Sequence, residues 1–133
     1  MYEKMRLLMQ WHSDLMNTGR FEDLAREYRL PMVIYRGAIQ LVVHDVDQLV
    51  AYFKECLSAR RARGVMDVRI VVTAVDLPRN GRFRVWLQHH ERDALGVVVA
   101  QFDVIRYLRE SNQDLLCEMV ECFEDHAVIA CAA

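Results

Sequence analysis

The chain has 133 residues, 53% of them hydrophobic and 27% charged, with a formal net charge of −2. That length suits one domain around one core, spanning 1–133, and the apolar content excludes a disordered chain. The near-neutral balance gives no basic excess for nucleic acid and no acidic tail for a basic partner.

The first residues, MYEKMRLLMQWHSDLM, are interrupted by Glu3, Lys4, Arg6, His12 and Asp14 and lack the unbroken apolar stretch of a signal peptide. No run approaches the roughly 20 apolar residues that span a bilayer. A soluble, cytoplasmic protein without a membrane partner is expected. Met5, Leu8, Met9, His12, Leu15 and Met16 recur at helical spacing, which predicts an amphipathic helix over 3–17. Asn17-Thr18-Gly19 ends it. A short second helix is expected to carry Phe21, Leu24, Ala25 and Tyr28 on one side, with Pro31 blocking its continuation.

MVIYR and AIQLVV, on either side of Gly37, predict a short hairpin. Asp45 reads as an N-cap with Gln48 three residues on. The stripe Val46, Leu49, Val50, Phe53 and Leu57 predicts the third helix, closed by Arg60, Arg61, Arg63 and Gly64. From Val65 onward the pattern is strand: VMDVRIVVTAVDL, a tight turn at Asn80-Gly81, FRVWLQHHE, a turn through Asp93 to Gly96, VVVAQFDVIRYL, a polar turn, and LLCEMVECFE. These four strands form an antiparallel meander. The tail HAVIACAA is left without an assignment.

Three helices followed by a long meander define an α+β domain with helices against one sheet face. Val97 to Ala100 and Ile70 to Val72 are continuously apolar, whereas an antiparallel sheet with one wet face alternates. The second face therefore needs a cover, and a homodimer through the outer sheet face is expected. Four cysteines at 56, 117, 122 and 131 show no metal-binding spacing and read as buried thiols.

This order of elements resembles the nuclear transport factor 2-like superfamily, which includes the ketosteroid isomerases and the polyketide cyclase-like (SnoaL-like) proteins. LMNTGRFEDLAREY is similar to the family's exit from its first helix, and FDVIRYL with LLCEMVECFE to its last two strands. The resemblance covers nearly the whole chain. It implies three N-terminal helices packed on a curved, mostly antiparallel sheet that curls into a cone, a mostly apolar pocket for a small apolar or aromatic molecule, and frequent homodimers. Members include isomerases, dehydratases, cyclases, epoxide hydrolases, transport adaptors and proteins without known activity.

Against the isomerases, Asp103 matches the strand aspartate that donates a hydrogen bond to the oxyanion. His12 falls near their oxyanion-binding tyrosine, and Arg36 falls where they carry the proton-shuttling aspartate. A guanidinium is no base at neutral pH, so steroid isomerisation by that route is not expected.

The residues themselves leave two functional classes open. One is a binding or dimerisation module with a greasy cavity. The other is a cofactor-free isomerase, dehydratase, cyclase or hydrolase in which His12 and Asp103 move protons. The alternative for Asp103 is an ion pair with Arg84, Arg69 or Arg36; for His12 it is a bond to a backbone carbonyl. Arg36, Tyr35, Trp86 and Gln101 are the ligand-binding candidates. Adjacent His89 and His90 point to opposite faces of a strand and cannot share an ion, so no metal site and no cofactor are expected. Which of the two faces the pocket stays open. ARRARG reads as a solvated helix end.

Overall fold

The structure is a computed structural model and describes residues 1–124. Helix α1 runs Tyr2–Asn17, α2 Phe21–Ala25 and α3 Val46–Ala62; the strands are β1 Tyr28–Arg36, β2 Ile39–Val43, β3 Asp67–Val75, β4 Arg82–Arg92, β5 Val98–Ser111 and β6 Asp114–Phe123. One six-stranded sheet has the order β2-β1-β6-β5-β4-β3. The meander β3 to β6 is antiparallel throughout, as the alternation predicts; β6 then lies parallel to β1. The sheet is α+β in context, mixed, curved and open.

Its curvature has a local cause. Pairing slips between Val72 and Ala74, between Glu91 and Arg92, between Tyr107 and Leu108, and between Tyr28 and Val33. Each irregularity bends its strand and increases the twist. The sheet thereby wraps the helices on one side. There α1 buries Met5, Met9, Leu15 and Met16, while α3 buries Leu49 and Phe53. Helix α1 is pinned to β3 by the Ser13 hydroxyl, which donates to the Val68 carbonyl at 2.6 Å, and by the Gln10 side-chain oxygen, which accepts from the Ile70 N–H at 3.1 Å.

The turn chemistry read from the sequence recurs in the backbone. Asp45 caps α3, its carboxylate accepting from the Gln48 N–H at 2.9 Å, while Gln48 returns a bond to the N–H of His44. At the far end the Val65 N–H reaches the Arg60 carbonyl and the Gly64 N–H reaches that of Arg61, the Schellman pattern around a left-handed glycine. Asn80 and Gly81 both take positive φ, 53° and 76°, as a mirror-image hairpin turn requires. A Cβ on Gly81 would stand 2.8 Å from the Glu110 carbonyl oxygen, so this position is closed to side chains for a second reason.

Several expectations need correcting. Helix α2 stops at Ala25, and Tyr28 opens β1 instead of lying on the helix; Pro31 sits within that strand. The hairpin strand is accordingly longer than MVIYR. ARRARG is not a simply solvated helix end: Arg63 forms a two-bonded pair with the buried Glu91 at 2.9 and 3.1 Å, and Arg60 approaches the same carboxylate at 3.6 Å. Cys117 and Cys122 are free thiols, but Cys56 is not free. The tail HAVIACAA lies outside the described residues. No helix among the described residues is long and apolar enough to cross a membrane.

Candidate functional site

Strand alternation sets what faces the helices. On β4 the inward residues are Phe83, Val85, Leu87, His89 and Glu91; on β5 they are Phe102, Val104, Arg106 and Leu108. Lateral registers align them. One inward row runs Arg36, Cys122, Val104, Leu87, Val72; the next is Ile34, Val120, Arg106, Val85. On the other side of the first row stand Phe102, His89 and Ile70.

Between these rows and the helices lies a cavity of about 80 Å³. By volume that is room for a few waters or a small organic group. Its apolar wall comes from Met16, Leu24 and Phe53 on the helices and from Ile34, Val104 and Val120 on the sheet. Its polar groups fall into two sets, with His89 on β4 beyond the Arg36 row.

The first set centres on Arg36, which is only 7% exposed. Its guanidinium donates to the Tyr52 hydroxyl at 2.6 Å and is ion-paired with Glu124, itself buried. Burial pushes the Glu124 carboxyl up, and Arg36 pulls it back. Burial also raises the Tyr52 phenol and takes the Cys122 thiol up to about 11. Arg60 lines the cavity beside this set.

The second set is Arg106, Tyr28 and His12. Arg106 donates to the Tyr28 hydroxyl at 2.6 Å, and burial pushes that phenol up to about 12. The His12 ring lies 6.2 Å from the Tyr28 ring. Neither ring nitrogen of His12 has a hydrogen-bond partner among the described residues, and its nearest acid, Glu27, stands 3.9 Å away with its side chain partly in solvent. Burial holds His12 below the usual imidazole range; Glu27 opposes that shift and Arg106 adds to it.

His89 is 6% exposed and packs on Phe102 at 5.0 Å between ring centroids. Both its nitrogens are without partners among the described residues. Burial depresses its pKa well below the ordinary value, and Arg106, Arg60 and Arg36 deepen the shift. Both histidines are therefore neutral at pH 7, each able to donate from one nitrogen and accept at the other.

Of the residues singled out from sequence, the cavity brings together His12 and Arg36. The other four lie elsewhere. Asp103 and Gln101 are exposed on the outer face of β5; Trp86 points outward from β4 beneath Arg84, 4.8 Å from its ring; Tyr35 is exposed on the outer face of β1. Asp103 faces away because Phe102, Val104 and Arg106, on the opposite parity, face the helices. It makes no ion pair among the described residues: Arg84 is held by Asp76 and Arg36 by Glu124. The acid–base pair His12 and Asp103 therefore does not assemble. Nor does His12 bond a backbone carbonyl among the described residues.

Sequence reasoning missed Arg106, Glu124, Tyr28, Tyr52 and Arg60, and left His89 open against His90. The structure turns His89 in, while His90 contacts Gln88 on the outer face at 3.3 Å. The signal for His89 was present, since Phe83, Val85 and Leu87 share its parity and Arg84 and Gln88 do not.

No family model matches this sequence, and no curated protein sequence matches it significantly. Solved structures do. An NTF-2 like protein of unknown function from Shewanella oneidensis superposes with a TM-score of 0.71 at 9% identity, over 92% of this chain and 98% of that one. Aln2 from a Streptomyces species gives 0.71 at 15% identity, over 96% and 93%. A domain of unknown function with a cystatin-like fold from Nostoc punctiforme gives 0.72 at 9% identity, over 92% and 76%. The chain has the nuclear transport factor 2-like fold, an α+β cone.

The two buried imidazoles make a pH prediction. Their native pKa values are depressed, so near pH 6.5 the unfolded chain takes up protons that the native chain refuses. Stability is complete above about pH 6.5 and is lost as pH falls through it, by up to about 1.4 kcal/mol per pH unit for each histidine. Glu124, raised in the native state, acts with the opposite sign, adding stability as its carboxyl protonates. Urea unfolding of His89→Gln between pH 7.5 and 5 is expected to have a clearly shallower acid slope than wild type; an unchanged slope would refute a buried neutral His89.

Proposed function

We propose that this chain is a SnoaL-like small-molecule-binding domain that takes its ligand into the cone cavity and works as a homodimer. The observation that carries the reading is the cavity itself. An apolar wall with a few convergent polar groups is the usual constitution of a ligand site. Here two imidazoles, buried and unbonded among the described residues, face into it. Such groups cost free energy unless something supplies their hydrogen bonds.

Proton-transfer chemistry is the second reading, and one observation favours it. His12 is a neutral imidazole in the cavity with the Glu27 carboxylate 3.9 Å from its Nε2, longer than a hydrogen bond but near enough to close on the ring and orient it as a base. The catalytic pair would then be His12 with Glu27, in place of His12 with Asp103.

A thermal-shift screen with small cyclic ketones and aromatic acids tests the binding reading. At a hundredfold excess over Kd a ligand adds about 2.7 kcal/mol, which raises Tm by several degrees. Val120→Phe, which fills the cavity, is expected to abolish the shift while the circular dichroism spectrum stays native. A shift that persists in Val120→Phe would put the ligand elsewhere.

The dimer rests on the outer sheet face. Tyr35, Val42 and Phe123 are exposed there, and Ile105, Tyr107 and Met119 are half-buried around them. Val97 to Val99, about half exposed, lie at the start of β5. That much apolar surface on one face suits a self-complementary contact. Light scattering is expected to give twice the chain mass of 15.6 kDa, and Phe123→Lys with Tyr35→Lys to give the single chain. A wild-type monomer at every concentration would contradict the interface.

A further inference from the structure

The charges inside the cone do not balance. Three guanidiniums line the cavity, those of Arg36, Arg60 and Arg106, and meet two buried carboxylates, Glu91 and Glu124, while the exposed Arg63 reaches Glu91 from the end of α3. Arg36 is paired with Glu124, and Arg60 and Arg63 share Glu91. Arg106 has no carboxylate within ion-pair distance among the described residues. It has the Tyr28 hydroxyl at 2.6 Å, the Tyr28 ring at 5.8 Å, and an Nε that is buried without a partner. Glu27, the remaining acid near this set, is turned to His12 at the solvent edge.

A guanidinium is always charged, so it cannot escape burial by losing its proton. Partly removed from water without a counter-ion it is destabilising, unless an anion supplies the missing charge and hydrogen bonds. The polar groups that line the cavity with Arg106 are suited to receive one. His12 and His89 are neutral and can donate to an oxyanion, and the Tyr28 and Tyr52 phenols stay protonated. Beyond the polar groups the wall is apolar: Ile34, Phe53, Val104 and Val120. The cavity, at about 80 Å³, is small.

Resting on the binding reading above, we propose that the ligand is a small organic monocarboxylate, a short chain or single ring, whose head group binds Arg106 and whose body lies against that apolar wall. The apolar wall and small volume favour it over an inorganic oxyanion, which would leave Phe53 and Val104 facing a hydrated ion. A neutral ligand of the same shape would leave the Arg106 charge unanswered.

The test is calorimetric titration of the full chain with benzoate, butyrate and hexanoate, and in parallel with benzamide, benzylamine and inorganic phosphate. At least one carboxylate is expected to bind, with benzamide at least tenfold weaker than benzoate if the ring fits, and benzylamine not at all. Arg106→Met combined with Tyr28→Phe removes both the guanidinium and the hydroxyl it satisfies. This pair is expected to lose carboxylate affinity at least tenfold while the ligand-free Tm stays at or above wild type, because a half-buried charge without a counter-ion has gone. Arg106→Lys is expected to recover part of the affinity.

Benzamide binding as tightly as benzoate, in a manner that Val120→Phe abolishes, would overturn the anion proposal and leave the pocket reading standing. Phosphate binding in place of every carboxylate would overturn the organic body. Full carboxylate affinity together with a lowered Tm in the double variant would make Arg106 a structural residue and end the proposal. Failure of every probe would end both readings.

Discussion

Strand alternation governs this molecule's interior. Once Phe83, Val85 and Leu87 face the helices, His89 and Glu91 must follow them inward, and pairing with β5 sends Phe102, Val104 and Arg106 to the same side. A one-residue slip of β5 would place Asp103 inside and Arg106 outside, exchanging a cationic interior for an acidic one. The Asn80-Gly81 turn helps hold that register. Both its residues occupy the left-handed region, and the Gly81 carbonyl accepts from the Glu110 N–H at 2.7 Å, tying the turn to β5.

The curved sheet then leaves a hollow that hydrophobic side chains do not fill. A core selected only for stability would close it, since voids forfeit dispersion contacts and buried polar groups need partners. Here the sheet, α1 and α3 bring arginines, phenols and imidazoles into that space, and some of them remain unsatisfied. Glu91 and Glu124 answer most of the charge. What they leave over is concentrated at Arg106 and the two histidines. Departures from local consistency of this kind tend to mark functional sites.

Much of the fold was legible because its signals are local. The stripe on α1, the Asp45 cap, the Gly64 terminus and the Asn80-Gly81 turn each depend on residues a few positions apart. The even spacing of turns after Val65 made the meander readable as well. Tyr28 was misplaced because an aromatic residue beyond a short helical stripe fits either continuation, and only pairing beside Cys117 makes it a strand residue. The site was far less legible. On β5 both parities carry apolar bulk, with Ile105 and Tyr107 on the outer face and Phe102 and Val104 within. Asp103 and Arg106 therefore looked equally able to face the helices, and the decision lies in the cross-strand register to β4. Glu124 and Arg36 meet across 88 positions of sequence, and nothing local announces such a pair.

The account turns on an interior that is open, cationic and polar at one end. A high-resolution crystal structure tests it most directly. It should show a preserved hollow between α3 and the sheet, with solute or ordered water within hydrogen-bond distance of Arg106 Nε and of the His12 and His89 rings. A hollow closed by repacked side chains, or an acidic group of the chain itself seated on Arg106, would contradict it.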